Sequence, residues 1–369
     1  MNDKHDPEIC TPFAKIDVQK LINNIESFAK HFKKQGINLR PHIKTHKCAE
    51  IAAMQIESGA CGITVATLNE AEAMARKGID DILIAYPVVG SAALSRLKSL
   101  KLVGINVISA FDSIFHLDQL KKITGKEAPA KIYLEINSGQ NRCGIRPLVE
   151  EMMPIAHYLD ENRQIFSLEG VFTHAGHVYR CENSEQIRQV AREEQQAVVE
   201  AAHFFRRQGF NCPMISTGTT PTAFYTDNTQ VNECRPGNYV FYDAIQLANS
   251  TTTSESCAVT IVSTVVAVYA DRIIIDAGSK SLGLDRGAHG LSLVQGFGLI
   301  TGYPDLVISA LSEEHGIVKT TKANVKFPQP GDRIEIIPNH SCAAVNMFSE
   351  YQIYRNTVRI DSWPLIGRR

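Results

Sequence analysis

Between residues 38 and 241 the chain repeats one pattern eight times: a short apolar segment without polar alternation, with helical stretches in between. The candidate strands are 38–44, 61–66, 82–86, 102–108, 130–136, 168–173, 213–216 and 233–241. A strand that is apolar on both sides must be covered on both faces, and helices between successive strands make neighbours parallel. Eight such units predict a (β/α)8 barrel, an α/β fold. A doubly wound open sheet is the alternative, but no Gly-x-Gly-x-x-Gly turn follows the first strand, so its dinucleotide-binding form loses its main support.

Local signals agree with this reading. Val18, Leu21, Ile22, Ile25, Phe28, Ala29 and Phe32 recur at helical spacing after an irregular N-terminal segment, and Gly36 stops the run. Thr67 with Glu70 three residues on has the form of a capping box. Near Thr251 the pattern changes to β-branched runs at 259–268 and 272–276, then to Gly- and Pro-punctuated segments at 331–338 and 351–354. The expected division is a barrel over 12–247 and a C-terminal β domain over 248–369, which residues 1–11 are able to join.

In a barrel the working residues lie at the C-terminal ends of the strands. There the sequence places Arg40-Pro41-His42-Ile43-Lys44-Thr45-His46-Lys47, where surrounding positive charge favours a free amine on Lys44 able to hold an aldehyde cofactor as a Schiff base. The fifth strand is followed by a glycine-flanked turn that carries Arg142, read equally as a surface ion pair or a cofactor contact. The sixth ends in Thr173-His174-Ala175-Gly176-His177. The seventh runs into Ser216-Thr217-Gly218-Thr219-Thr220-Pro221-Thr222, small hydroxyl residues around a glycine that suit a phosphate, or else a turn that satisfies its own backbone. In the β domain His340 and Cys342 would point to one side of an extended segment, as two ligands of an open zinc site or as a core pair.

Composition narrows the partners. The 369 residues carry a net charge of -1 with 44% hydrophobic and 21% charged residues, without the basic excess that nucleic acid requires. No apolar run is long enough for a bilayer, and nine cysteines without a CxxC pair suit reduced thiols, so the cytoplasm is the expected location.

Taken together, Arg-Pro-His-Ile-Lys-Thr-His-Lys at 40–47, Gly-Gln-Asn-Arg-Cys-Gly at 139–144, Thr-His-Ala-Gly-His at 173–177, Ser-Thr-Gly-Thr-Thr-Pro-Thr at 216–222, Pro-Gly-Asn-Tyr-Val-Phe-Tyr-Asp at 236–243 and Pro-Asn-His-Ser-Cys at 338–342 resemble the D-serine dehydratase and D-threonine aldolase family of fold-type III pyridoxal phosphate enzymes. The resemblance implies an alanine-racemase-like barrel with a C-terminal β domain, commonly a homodimer acting on a small D-amino acid. It implies that Lys44 carries pyridoxal 5'-phosphate, that Arg142 lies near the phenolic oxygen and His174 near the pyridine nitrogen, and that Tyr242 joins the cofactor contacts. Ser216, Thr217, Gly218 and Thr219 would hold the phosphate, and His340 with Cys342 a metal, zinc with manganese as the alternative. Aldolase members typically carry aspartate two residues after that histidine; cysteine resembles the zinc-dependent D-serine dehydratases. The expected function is therefore conversion of D-serine to pyruvate and ammonia. The alternatives are retro-aldol cleavage of a D-3-hydroxy amino acid to glycine and an aldehyde, an amino-acid racemase, a non-catalytic pyridoxal phosphate carrier, and a zinc-stabilised structural protein.

Overall fold

The computed structural model describes residues 9–125, 128–286, 294–322 and 325–368. The chain forms two compact units that are not contiguous in sequence. One comprises Phe28–Val178, Glu185–Gly237 and the segment beginning at Ile366; the other comprises the chain up to Ser27, Tyr179–Ser184 and Asn238–Leu365. The expected division at residues 11/12 and 247/248 differs from these boundaries.

The first unit is built on eight parallel strands in the order Asn38–Leu39, Glu233–Cys234, Met214–Thr217, Phe166–Thr173, Ala130–Ile136, Asn106–Phe111, Asp81–Ile84, Ile63–Val65. The two outer strands then meet. The N–H of Cys61 donates to Leu39 O (2.9 Å), that of Thr64 donates to Pro41 O (2.8 Å), and a bridge pairs His42 with Thr64. The sheet is thereby a closed (β/α)8 barrel, as expected. Side chains alternate along each strand. Ile132, Leu134 and Ile136 pack outward in the large apolar cluster with the helices, whereas Tyr133 joins Leu83, Ile108, Ala110 and Phe172 in a separate interior cluster.

Several strands are shorter than their apolar runs. The first is only Asn38–Leu39, because Pro41 has no N–H for the ladder and the chain then turns into a 3₁₀ helix at Ile43–Thr45. Pro236 and Gly237 likewise cut the eighth to Glu233–Cys234, followed by a 3₁₀ turn at Asn238–Val240. Leu102 ends a helix, Ser91–Leu102, rather than opening a strand, and the strand begins at Asn106 after Gly104 at φ +87°. The capping box at Thr67 is present with a shift: Thr67 Oγ1 accepts the Glu70 N–H, and Glu70 reaches the N–H of Ala66.

The other unit holds a nine-stranded sheet in the order Arg272–Ile275, Gly316–Thr320, Leu306–Leu311, Leu299–Ile300, Arg333–Ile337, Val259–Val268, Phe13–Asp17, Glu350–Arg355, Val358–Pro364. Arg272–Ile275 also pairs with Val259–Val268, so six strands close on themselves. The N-terminal segment expected to be irregular supplies the strand Phe13–Asp17, antiparallel to Val259–Val268 and parallel to Glu350–Arg355. Its Phe13 packs with Val262 and Tyr354.

Candidate active site

Lys44 lies on the 3₁₀ turn just beyond the last pairing of the first strand, not within a strand. The turn is tied from both flanks. His42 N–H donates to Pro236 O (3.0 Å), and His42 Nδ1 accepts the Lys44 N–H (3.4 Å). Lys47 closes the turn at φ +47°, an unfavourable conformation for a side-chain-bearing residue. Its N–H donates to Ile43 O (2.8 Å), and its carbonyl accepts the N–H of Ile366 (2.7 Å). The returning segment is fixed further by Asn69 Nδ2 on Arg368 O (3.3 Å) and by Gly367, whose missing Cβ would lie 2.9 Å from Glu70 Cα.

The barrel brings Lys44, Arg142 and His174 around one imidazole. His42 is held well below its ordinary value by burial and by the charges of Lys44, His174, Arg235 and Arg142. His174 follows the interior residue Phe172 by two positions, which aims it at the same mouth. The loops after the fifth and sixth strands pack on each other: Ser138 Oγ meets Thr173 Oγ1 at 2.7 Å, and a Cβ on Gly139 would lie 3.2 Å from the His177 ring. A mouth lined with cations and a neutral imidazole suits an anionic aldehyde cofactor.

The loop after the seventh strand divides its hydroxyls. Ser216 Oγ donates to Glu233 (2.6 Å) and accepts from Arg235, so it belongs to a buried network that continues through Glu233 to Arg40. Thr219 and Thr222 hydroxyls meet each other at 3.1 Å. Thr217 Oγ1, fully buried, has no hydrogen-bond partner among the described residues. Gly218 stands at φ +115°, where a Cβ would come within 2.6 Å of Cys234 Sγ. An orphaned donor beside a glycine that only glycine can occupy fits a phosphate cradle. Behind the loop stands Glu194, from the helix Ser184–Arg207, buried and raised to about 7 by desolvation, opposed by the Thr222 hydroxyl, Arg235 and the N–H groups of Gly218 and Ala175.

The remaining candidates lie in the other unit. Tyr242 is buried at φ +53°, its hydroxyl shifted upward by burial and by Cys257. His340 and Cys342 are not on an extended segment as expected; His340 is the N-cap of the short helix Ser341–Val345 and Cys342 lies in its first turn. Asp243, fully buried, caps that helix by accepting the Ser341 N–H (3.0 Å), which turns the chain. The imidazole and thiol still meet. Burial lowers the affinity of His340 for a proton, but Cys342, Asp285 and Asp243 outweigh it and raise its pKa well above the ordinary value. Asp285 Oδ2 lies 3.3 Å from His340 Nδ1, which orients the ring so that a metal could meet the imidazole beside the Cys342 sulfur. Among the described residues no group of three such donors occurs, and His340 with Cys342 is the pair there that could hold a metal.

Sequence reasoning did not single out Glu135, Glu194, Arg235, Asp243 or Asp285. Arg235 had a signal, a cation at the end of the eighth strand, and so had Asp243, a capping residue after the tyrosine.

A closed parallel barrel with a lysine turn at its mouth and a hydroxyl and glycine loop after the seventh strand defines the alanine-racemase-like class of pyridoxal phosphate enzymes. The alanine racemase N-terminal domain model matches residues 16–244 and the serine dehydratase domain model matches 258–354. D-threo-3-hydroxyaspartate dehydratase from Delftia sp. is 32% identical over 96% of both chains, and its structure superposes with a TM-score of 0.90, at 31% identity over 97% of each chain. A cysteine-to-alanine variant of that dehydratase is described as metal-free. D-serine dehydratase from Dictyostelium discoideum is 29% identical over 98% of both chains, and D-threonine aldolase from Arthrobacter sp. 27% identical over 97% of this chain and 94% of that one. The chain belongs to the D-serine dehydratase and D-threonine aldolase family, and is a pyridoxal-phosphate-dependent lyase. Among the described residues no helix is long and apolar enough to cross a membrane.

Proposed function

We propose that the protein is a zinc-dependent D-serine dehydratase, releasing pyruvate and ammonia from D-serine. The observation that carries the reading is the direct contact of His340 with Cys342, a nitrogen and sulfur pair suited to zinc, in a chain that aligns over nearly its full length with 3-hydroxy amino acid dehydratases. Lys44 would hold the cofactor aldehyde, Thr217 and Gly218 the phosphate, and Arg142 and His174 the ring, with Tyr242 as a further contact. When bound, pyridoxal phosphate withdraws electrons from the substrate Cα. The chain's own residues supply the rest. The Lys44 amine would accept the Cα proton; neutral His42 beside it leaves that amine uncrowded by a further positive charge. His340 and Cys342 would hold zinc, with manganese as the alternative, which would supply Lewis-acid assistance to a hydroxyl leaving group. The hydroxyl would leave as water with the proton taken from Cα, and hydrolysis of the resulting enamine would yield pyruvate and ammonia.

The aldolase reading keeps one specific support, the full-length similarity to D-threonine aldolases, including the Filomicrobium marinum structure at TM-score 0.88 and 25% identity. Incubation of the purified protein with D-serine, D-threonine and D-threo-3-hydroxyaspartate separates the two. Pyruvate with ammonia from D-serine is expected; glycine as the product refutes dehydration, and a Lys44→Ala protein that retains the cofactor's lysine-bound absorbance refutes the assignment of Lys44. Assembly as a cytoplasmic homodimer belongs to the same proposal, and a monomer by light scattering overturns that part.

A further inference from the structure

The strand Ala130–Ile136 ends in two residues of opposite chemistry. Ile136 packs outward with the helices, whereas Glu135, two positions after the interior Tyr133, turns a carboxyl toward the barrel mouth and is 5% exposed. The proposed reaction does not use it. A carboxylate so withdrawn from water needs a cation, and Arg142 Nη2 lies 3.9 Å from its Oε1. The backbone that carries Arg142 is already fixed: Asn137 Oδ1 accepts the N–H groups of Gly139 (3.0 Å) and Asn141 (3.1 Å), and Gly144 N–H donates to Asp112 Oδ2 (3.0 Å). The guanidinium at the end of its long side chain is 48% exposed and is not fixed by that backbone. It meets the Cys143 thiol beside it, and the charged partner it faces is the Glu135 carboxylate.

We propose that Glu135 is a positioning residue for Arg142: its buried carboxylate holds the guanidinium at the barrel mouth in the orientation in which it meets the ring of bound pyridoxal phosphate. The inference rests on the reading of Arg142 as a cofactor contact. The groups facing Glu135 are Arg142 and Cys143 from the following turn, Asp112 from the end of the neighbouring strand and Arg235 from the end of the eighth. Burial and Asp112 raise the carboxyl to about 7 against the pull of Arg142 and Arg235, so a change at Arg142 is felt at Glu135 and the reverse.

The test is a double-mutant cycle on the holoenzyme with Glu135→Gln, Arg142→Ala and both together, read as the dissociation constant for pyridoxal phosphate and the pH midpoint of its visible absorbance. Glu135→Gln is expected to weaken the cofactor about fivefold and to move the midpoint, as for loss of a partly exposed ion pair, and to change neither further once Arg142 is alanine. Glu135→Asp, with the charge kept but withdrawn by one methylene, falls between wild type and Glu135→Gln, and carries the comparison if the glutamine variant does not fold. Equal effects of Glu135→Gln in both backgrounds, or none in either, overturn the proposal. If Arg142→Ala alone leaves both readouts unchanged, the premise that Arg142 meets the cofactor falls first, and the inference with it.

Discussion

Replacing Thr217 by valine removes one hydroxyl and keeps the shape of the side chain, and the two states of the protein should respond with opposite signs. In the structure Thr217 Oγ1 is buried without a partner among the described residues. Such a group costs about 1–3 kcal/mol, and a methyl in its place adds apolar burial, so Thr217→Val is expected to raise apo stability. At about 2–4 °C per kcal/mol the melting temperature rises by a few degrees. With the phosphate in place the same hydroxyl donates to an anion, a bond worth about 1.5–3 kcal/mol, and its loss weakens cofactor binding about ten- to a hundredfold. Thermal melts of the apo protein and equilibrium dialysis of pyridoxal phosphate, both against wild type, read the two effects. Thr219→Val is the control, since Thr219 already bonds Thr222 and its loss should lower apo stability by about 1 kcal/mol. A lower apo melting temperature for Thr217→Val with cofactor affinity within about twofold of wild type would refute the phosphate reading of this loop.

Cys342→Ala is expected to abolish bound metal, measured by atomic absorption, together with turnover, while the cofactor stays bound; undiminished activity after chelation of the native protein contradicts a catalytic metal. Glu194 gives a pH signature. Its folded pKa of about 7 lies above the ordinary carboxylate value, so its contribution favours folding below pH ~4.5 and is lost as pH rises through 7, on the order of 3 kcal/mol. Glu194→Gln should therefore gain urea stability over wild type at pH 8 relative to pH 5, and an equal difference at both values contradicts the assignment.

The barrel was legible because strands covered on both faces leave uninterrupted apolar runs, such as Ile82, Leu83 and Ile84, that helices punctuate at regular distance. Their ends were less so, since Pro41 and Pro236 cut hydrogen-bond ladders within runs that stay apolar. Phe13–Asp17 escaped notice for another reason: its partners lie at Val259–Val262 and Tyr351–Tyr354, and a five-residue segment carries no trace of pairings so distant. At the candidate site, Lys44, Thr217 and Gly218 were expected from their chemistry at a strand end. Glu194 did not, because it sits among Arg192, Glu193, Gln195 and Gln196 on a helix whose polar residues read as solvated. The bend at His340 was hidden because its cause, Asp243, is remote in sequence.

The hydrogen bond from Ile366 to Lys47 also sets an order of events. Closing a loop between positions so far apart is slow compared with forming a local turn, so this tether forms after the turn's own bonds to Ile43 O. A nascent chain that has not yet delivered Ile366 leaves Lys47 without that tether in its left-handed conformation.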